Sequence, residues 1–344
     1  MREVFERTVA ATVDNHTERH SKGRLTRQEQ IAAMPAIQQI FPRMIEEARS
    51  SHPIRMAVCH PCSEVALCGA IEAAQAQLID PVLVGPAHKV QALAQQAGVD
   101  IAPYPLISTE HSHASAARAV ALCRSGDCQA LMKGSLHTDE FMHAVLQPDT
   151  GLRTARRVSH VFVMAVTSYP RLLLITDAAI NIYPTLADKK DIVQNAIELA
   201  RALGVAQPRV AILSAVEFVN PKIASTIDAA ALCKMADRGQ IVGGILDGPL
   251  AFDNAINLAA AEVKGIVSPV AGRADILLVP DIESGNMLAK QLDYLGDAQS
   301  AGLVLGARVP IILTSRADSA DSRLASCAVA IKYARAQTAG HAIR

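Results

Sequence analysis

Short apolar runs and amphipathic helical stretches alternate along the chain from residue 54 onward. Residues 54–59 and 79–84 have the mainly apolar pattern of buried strands, and residues 64–77 between them repeat apolar positions at helical spacing. The alternation continues with a strand expected over residues 99–107. A run of such strand–helix units is typical of a parallel sheet with right-handed crossovers.

A second series of strands and helices begins near Gly151. Residues 159–166 and 171–177 predict two adjacent strands joined by a turn. Residues 188–204 predict a strongly amphipathic helix that ends at a glycine. The chain therefore contains two separate series of α/β units.

The two series predict an α/β fold of two domains with mainly parallel sheets and an active-site cleft between the domains. We expect residues 1–150 together with 303–344 to form the first domain, which includes an N-terminal helical segment over residues 1–50. We expect residues 151–302 to form the second domain.

The last apolar run, residues 309–313, carries the most informative chemistry. It predicts a short strand buried on both faces, and Ser315 and Arg316 follow it at once. Asp318 and Ser319 are good N-cap residues for the helix that comes next. Open α/β sheets bind ligands between the carboxyl end of a strand and the start of a helix, where free N–H groups and a guanidinium attract anions. The stretch therefore predicts an anion site.

Other predicted strands also end in polar clusters, in the segments KGSLHT, TDAAIN, DGPLAFDNA and PDIESGN. Each cluster alone is explained as a turn or a helix cap. Because the carboxyl ends of parallel strands meet at one edge of a sheet, we expect the clusters together to surround one cleft.

Composition narrows the class of protein. Half of the residues are apolar but only 3% are aromatic, so the core consists of Ala, Val, Ile and Leu, as in helix-covered parallel sheets. The 33 basic and 33 acidic residues balance, which argues against a nucleic-acid or anionic membrane surface. No apolar run is long enough to span a membrane. Seven cysteines without an export signal indicate a reduced, cytoplasmic setting.

The segment CHPC, with Cys59 and Cys62, matches the spacing of a redox pair or half a zinc site. A structural zinc needs four ligands, and no other spacing in the chain completes such a site. We therefore interpret these residues as buried cysteines beside a crevice. The glycine patterns of nicotinamide and nucleoside-triphosphate sites are absent after the predicted strands, as is the GxSxG of serine hydrolases.

Six segments together resemble the phosphate acetyltransferase and phosphate butyryltransferase family. They are MKGSLHT, GLRTARRVSHVFVM, ITDAAINIYPT, DGPLAFDNA, SPVAGRADILLVPDIESGN and VPIILTSRADSA, in unbroken order over about residues 130–335. The segment TSRADSA is more similar to the butyryl branch. The resemblance implies two α/β domains similar to the isocitrate and isopropylmalate dehydrogenase superfamily. It also implies a homodimer, formed here through the second domain, and the reversible reaction of acyl-CoA with phosphate to give acyl phosphate and CoA. No metal or prosthetic group takes part, and CoA is a substrate.

The resemblance assigns three catalytic roles. Ser315 orients the sulfur of CoA, and Arg316 stabilises the charge that develops on the carbonyl oxygen. The family places an acidic base seven residues after the serine, where this chain has Ser322. We expect Asp321 to accept the thiol proton; the alternatives are Asp318 and a base-free route in which Ser315 and phosphate pass the proton.

The resemblance also suggests the groups that bind phosphate and CoA. His143 lies where relatives often carry an arginine, Arg153 is a substitute cation, and Lys290 stands in for another arginine. The KGSLHT turn matches a loop on the phosphate side. The predicted substrate-binding residues are Lys133, His137, Thr138, His143, Arg153, Asn181, Asn286 and Lys290.

The chain is therefore expected to be a phosphate acyltransferase with acetyl as the transferred group. Butyryl specificity is the first alternative. A metal-dependent decarboxylating dehydrogenase, which needs paired aspartates and a nicotinamide site, is the second. A non-catalytic protein that binds an anion or CoA is the third.

Overall fold

A computed structural model describes residues 31–32, 34–49, 52–313 and 319–340 of the chain. The described residues include eleven strands. They are β1 (Ile54–Cys59), β2 (Ile79–Gly85), β3 (Leu106–Ser108), β4 (Ala130–Lys133), β5 (Ser159–Ala165), β6 (Leu172–Thr176), β7 (Arg209–Leu213), β8 (Ile245–Leu250), β9 (Ile276–Leu278), β10 (Gln299–Leu305) and β11 (Ile311–Leu313).

Eleven α-helices lie within the same residues, and a short 3₁₀ helix, Ala36–Gln39, precedes the first of them. They are α1 (Ile40–Arg49), α2 (Glu64–Gln75), α3 (Ala87–Ala97), α4 (Ser112–Arg124), α5 (Thr138–Val145), α6 (Leu186–Ala202), α7 (Ala224–Asp237), α8 (Phe252–Ile256), α9 (Leu258–Val263), α10 (Ile282–Tyr294) and α11 (Ala320–Thr338). No helix in the described part of the chain is both long enough and apolar enough to cross a membrane.

All eleven strands belong to one sheet, in the order β3-β2-β1-β4-β11-β10-β5-β6-β9-β7-β8. The pairs β11–β10, β10–β5 and β5–β6 are antiparallel, and the other seven pairs are parallel. The predicted α/β class with a mainly parallel sheet is confirmed. The turn predicted between β5 and β6 is also confirmed, because these strands are antiparallel neighbours.

Strand β10 joins the two series of strands. It pairs with β5 along its whole length, from Gln299 to Leu305, but with β11 only at Val304 and Ile311. Strands β1–β4 and β11 lie on one side of this junction, and β5–β9 lie on the other. The predicted domain boundary at residue 303 falls inside β10, and the division into two domains stays a prediction.

Two strands are shorter in the structure than the apolar patterns of the sequence predict. The strand predicted over residues 99–107 is formed only at Leu106–Ser108, because Pro103 and Pro105 have no N–H to donate to a neighbouring strand. The strand predicted over residues 309–313 is formed at Ile311–Leu313, after Pro310.

Helix α11 is largely buried near the centre of the sheet. Its middle, from Ala325 to Ala334, is mainly buried, and the helix packs against β10 and α1. Small residues such as Ala328 and Ala330, which are fully buried, allow this close packing. The start of α11 is thereby held beside β10, where the candidate site lies.

Candidate active site

A cavity of about 480 Å³ opens where β4 and β11 meet β5, β10 and α10. We call it the site cavity. Its lining includes four of the predicted substrate-binding residues together with several residues that the sequence did not single out. The lining residues discussed below are Lys133, Thr138, His160, Phe162, Asn286, Lys290, Ser300, Gly302, Leu313 and Ser322.

The turn after β4 is held against the turn after β1 by hydrogen bonds. The Gly134 N–H donates to the Cys59 carbonyl at 2.8 Å, and the Ser135 N–H donates to the His60 carbonyl at 2.9 Å. The Ser135 hydroxyl accepts from the Cys62 N–H at 3.0 Å and donates to the His60 carbonyl at 3.0 Å. A Cβ at position 134 would collide with the carbonyl oxygens of Cys59 and His60, so this approach requires glycine.

The CHPC segment thus supplies backbone partners for the turn after β4. Cys59 is fully buried, and burial raises the pKa values of both the Cys59 and the Cys62 thiols, which favours their protonated form. The thiolate is the form that binds metal or attacks a disulfide. The described residues also contain no group of three or more His, Cys, Asp or Glu side chains that could hold a metal ion. These observations support a structural role for the segment.

Lys133 ends β4 and lies half-buried in the wall of the site cavity. Its ammonium donates to the carbonyls of Gly134, at 3.2 Å, and Leu136, at 3.1 Å, which holds the side chain along the turn. Thr138 begins α5 and lines the same cavity. His137 is the exposed N-cap residue of that helix and does not line the cavity.

Helix α10 brings two further predicted residues to the cavity. A Cβ on Gly285 would lie 2.8 Å from the Asp177 carbonyl, so glycine lets the helix approach the segment after β6. The Asn286 amide donates to the Ala178 carbonyl at 3.2 Å. Asn286 and Lys290 are four residues apart and share one helix face, and both line the cavity that Lys133 also lines.

Helix α11 begins at the edge of the same cavity. The Ser319 hydroxyl accepts from the Ser322 N–H at 3.1 Å, so the predicted N-cap role of Ser319 is confirmed. Ser322 lines the site cavity, whereas Asp321 is exposed and lines an adjoining cavity. Asp321 lies in the first helical turn, where free N–H groups favour a negative charge.

Three residues of the predicted catalytic stretch, Ser315, Arg316 and Asp318, lie outside the described residues. Leu313, the last described residue before them, lines the site cavity. The catalytic roles of Ser315, Arg316 and Asp321 stay predictions.

Asn181 and Arg153 lie at a different cavity, of about 520 Å³. Asn181 is buried, donates to the Val158 carbonyl at 2.9 Å and accepts from Nε of Arg157 at 2.7 Å. Its amide therefore has partners within the protein. His143 lies exposed on α5, with its Nε2 2.7 Å from the side-chain nitrogen of Gln147.

The structure thus collects Lys133, Thr138, Asn286 and Lys290 at one cavity but not the other four predicted ligands. The roles of all eight in binding stay predictions. The polar cluster DGPLAFDNA also does not line the cavity, because it comprises the end of β8, the last strand at one side of the sheet, and the residues after it.

Three residues that line the cavity were not predicted from the sequence. They are His160, Phe162 and Gly302. All three lie inside strands, β5 or β10, where an apolar run normally indicates core. The one available signal was His160 itself, an imidazole within the apolar run SHVFVM. Burial lowers the pKa of His160 to about 4, so the ring is neutral at physiological pH.

Comparisons with known proteins identify the family. A family model described as "Phosphate acetyl/butaryl transferase" matches residues 105–331. The chain is 61% identical over 300 residues to a phosphate acetyltransferase of Rhizobium meliloti, covering 87% of this chain and 95% of the relative. It is 40% identical over 290 residues to a phosphate butyryltransferase of Clostridium acetobutylicum, covering 84% of this chain and 96% of the relative.

Solved structures show the same fold. A branched-chain phosphotransacylase from Enterococcus faecalis V583 superposes with a TM-score of 0.72 at 30% identity, covering 82% of this chain and 99% of the other. A 4-hydroxythreonine-4-phosphate dehydrogenase from Burkholderia phymatum gives a TM-score of 0.50 at 12% identity, covering 82% and 98%. The second likeness concerns the fold alone.

A pair of substitutions distinguishes backbone packing from thiol chemistry at the CHPC segment. Gly134→Ala should lower the free energy of unfolding by about 3 kcal/mol, because the new Cβ has no space. Cys62→Ala should lower it by about 1 kcal/mol or less, because a half-buried thiol packs as a small apolar group. Urea unfolding and the zinc content of the purified protein are the measurements. Bound zinc that disappears in Cys62→Ala, with a large loss of stability, would contradict the structural role.

Proposed function

The chain belongs to the phosphate acetyl/butyryl transferase family, and we propose that it transfers an acetyl group reversibly between CoA and inorganic phosphate. The products of acetyl-CoA and phosphate are acetyl phosphate and CoA. The higher identity to a phosphate acetyltransferase than to a phosphate butyryltransferase favours acetyl over butyryl. The observation that carries the proposal is the site cavity, which unites Lys133 and Lys290 from distant parts of the chain.

The reaction requires a site for a phosphate group with two negative charges. Two lysines that line the site cavity supply positive charge, and Thr138 and Asn286 add a hydroxyl and an amide. A charge-assisted hydrogen bond from an ammonium to a phosphate oxygen is roughly twice as strong as a neutral one. The site cavity therefore suits phosphate and the phosphate end of acetyl phosphate.

In the direction of acetyl-CoA synthesis, the thiolate of CoA attacks the carbonyl carbon of acetyl phosphate. A C–S bond forms between the CoA sulfur and this carbon. The bond between the carbon and the bridging oxygen breaks, so that phosphate leaves with the electron pair. Ser315 orients the sulfur in this proposal, and Arg316 stabilises the oxyanion that develops on the carbonyl oxygen. Lys133 and Lys290 hold the leaving phosphate.

The thiol must lose its proton before the attack, because the thiolate is the nucleophile. We assign this step to Asp321, which lies in the first turn of α11 and lines the cavity that adjoins the site cavity. Its exposed carboxylate can pass the proton to solvent. Asp318 and a base-free route through Ser315 and phosphate are the alternatives.

The family membership also supports a homodimer that forms through the second domain, residues 151–302, in a cytoplasmic enzyme. The first domain in this proposal comprises residues 1–150 with 303–344. Light scattering of the purified protein reports the mass in solution and tests the dimer directly.

The direct test of the function is release of free thiol from acetyl-, propionyl- and butyryl-CoA, with and without phosphate. We expect release that depends on phosphate, is fastest with acetyl-CoA, persists in a chelator and needs no nicotinamide cofactor. Reduction of a nicotinamide cofactor that stops in chelator would instead support a decarboxylating dehydrogenase. Tight binding of CoA without any thiol release would support a non-catalytic protein.

Lys290→Gln tests the assignment of the phosphate-binding groups. Loss of one charge-assisted hydrogen bond, worth about 1.5–3 kcal/mol, should raise the KM for phosphate about tenfold or more. Lys222→Gln is the matched control, because Lys222 is exposed and remote from the site cavity. An unchanged KM for phosphate in Lys290→Gln would remove Lys290 from the proposed site.

A further inference from the structure

A second cavity, of about 450 Å³, adjoins the site cavity. We call it the apolar chamber, because apolar side chains from α1, β5, α11 and the segment before β10 form part of its lining. These side chains belong to Phe41, Pro42, Met164, Ala298 and Ala325. Charged groups, including Asp293 and Asp321, lie at its exposed side.

Four residues line both cavities: Phe162, Lys290, Ser300 and Ser322. Phe162 is the only apolar residue among the four. Along β5, alternate side chains share one face of the sheet, so His160, Phe162 and Met164 form one row. His160 lines the site cavity, Met164 lines the apolar chamber, and Phe162 lies between them and lines both.

The Phe162 ring is held in this place by its neighbours. The His160 ring packs against it edge to face, with ring centroids 4.4 Å apart. On the neighbouring strand, Gly302 is the register partner of Phe162. A Cβ at Gly302 would lie 3.0 Å from Nε2 of His160 and 3.9 Å from Cδ1 of Phe162. The glycine therefore leaves space for the two rings.

We propose that Phe162 limits the length of the acyl chain that the enzyme accepts, because its ring separates the site cavity from the apolar chamber. This inference rests on the proposed function. A two-carbon acyl group fits in front of the ring, whereas each added methylene meets it. Removal of the ring joins the two cavities and gives a longer chain an apolar wall to pack against.

The test compares kcat/KM for acetyl-, butyryl- and hexanoyl-CoA in the wild type and in Phe162→Ala. The ratio of butyryl-CoA to acetyl-CoA should rise about tenfold or more, since one methylene changes discrimination by about 10–200-fold. Phe162→Leu should give a smaller rise in this ratio. It replaces Phe162→Ala in the test if the alanine variant fails to fold. Phe218→Ala removes a ring that is 61% exposed and remote from both cavities, and the ratio should not change.

Two results would overturn the inference while leaving the proposed function in place. One is a folded Phe162 variant with acetyl-CoA activity and an unchanged ratio. The other is an equal rise in KM for all three thioesters, which would mean that the ring contacts CoA itself. If the wild type releases thiol from none of the three thioesters, the proposed function is instead rejected.

Discussion

The close approach of two backbone segments at Gly134 is the constraint on which the site depends. Hydrogen bonds join the turn after β4 to the turn after β1, and no side chain fits between them. This contact fixes where Lys133 lies. A second close approach, at Gly285, brings α10 and Lys290 to the same cavity. Both lysines line one cavity because two glycines allow the backbone to pack this tightly.

Much of this architecture could be predicted from local pattern, and the exceptions have physical causes. Residues 54–59 form the predicted strand, whereas Pro103 and Pro105 shorten another. Lys133 was predicted because polar residues after buried strands indicate a ligand site, whereas Lys290 was predicted from the family resemblance. Phe162 was not predicted, since its proposed role depends on the pairing of β5 with β10, more than a hundred residues later in the chain. Sequence pattern does not reveal such long-range pairs.

The fold itself does not determine the chemistry. A dehydrogenase shares it at 12% identity, so the difference lies in the side chains that surround the cavity. In this chain those side chains line two neighbouring cavities. The site cavity has two lysines, and Phe162 is the one apolar residue among the four that line both cavities. In our proposal the charge of the lysines selects phosphate, and packing at the Phe162 ring selects the acyl group.

We propose that Lys133 and Lys290 bind phosphate together. A crystal structure of the protein with acetyl phosphate is the sharpest test. We expect the phosphate group in the site cavity, within hydrogen-bond distance of both ammonium groups. Phosphate bound instead at the cavity beside Arg153 and Asn181, with the site cavity free of ligand, would contradict it.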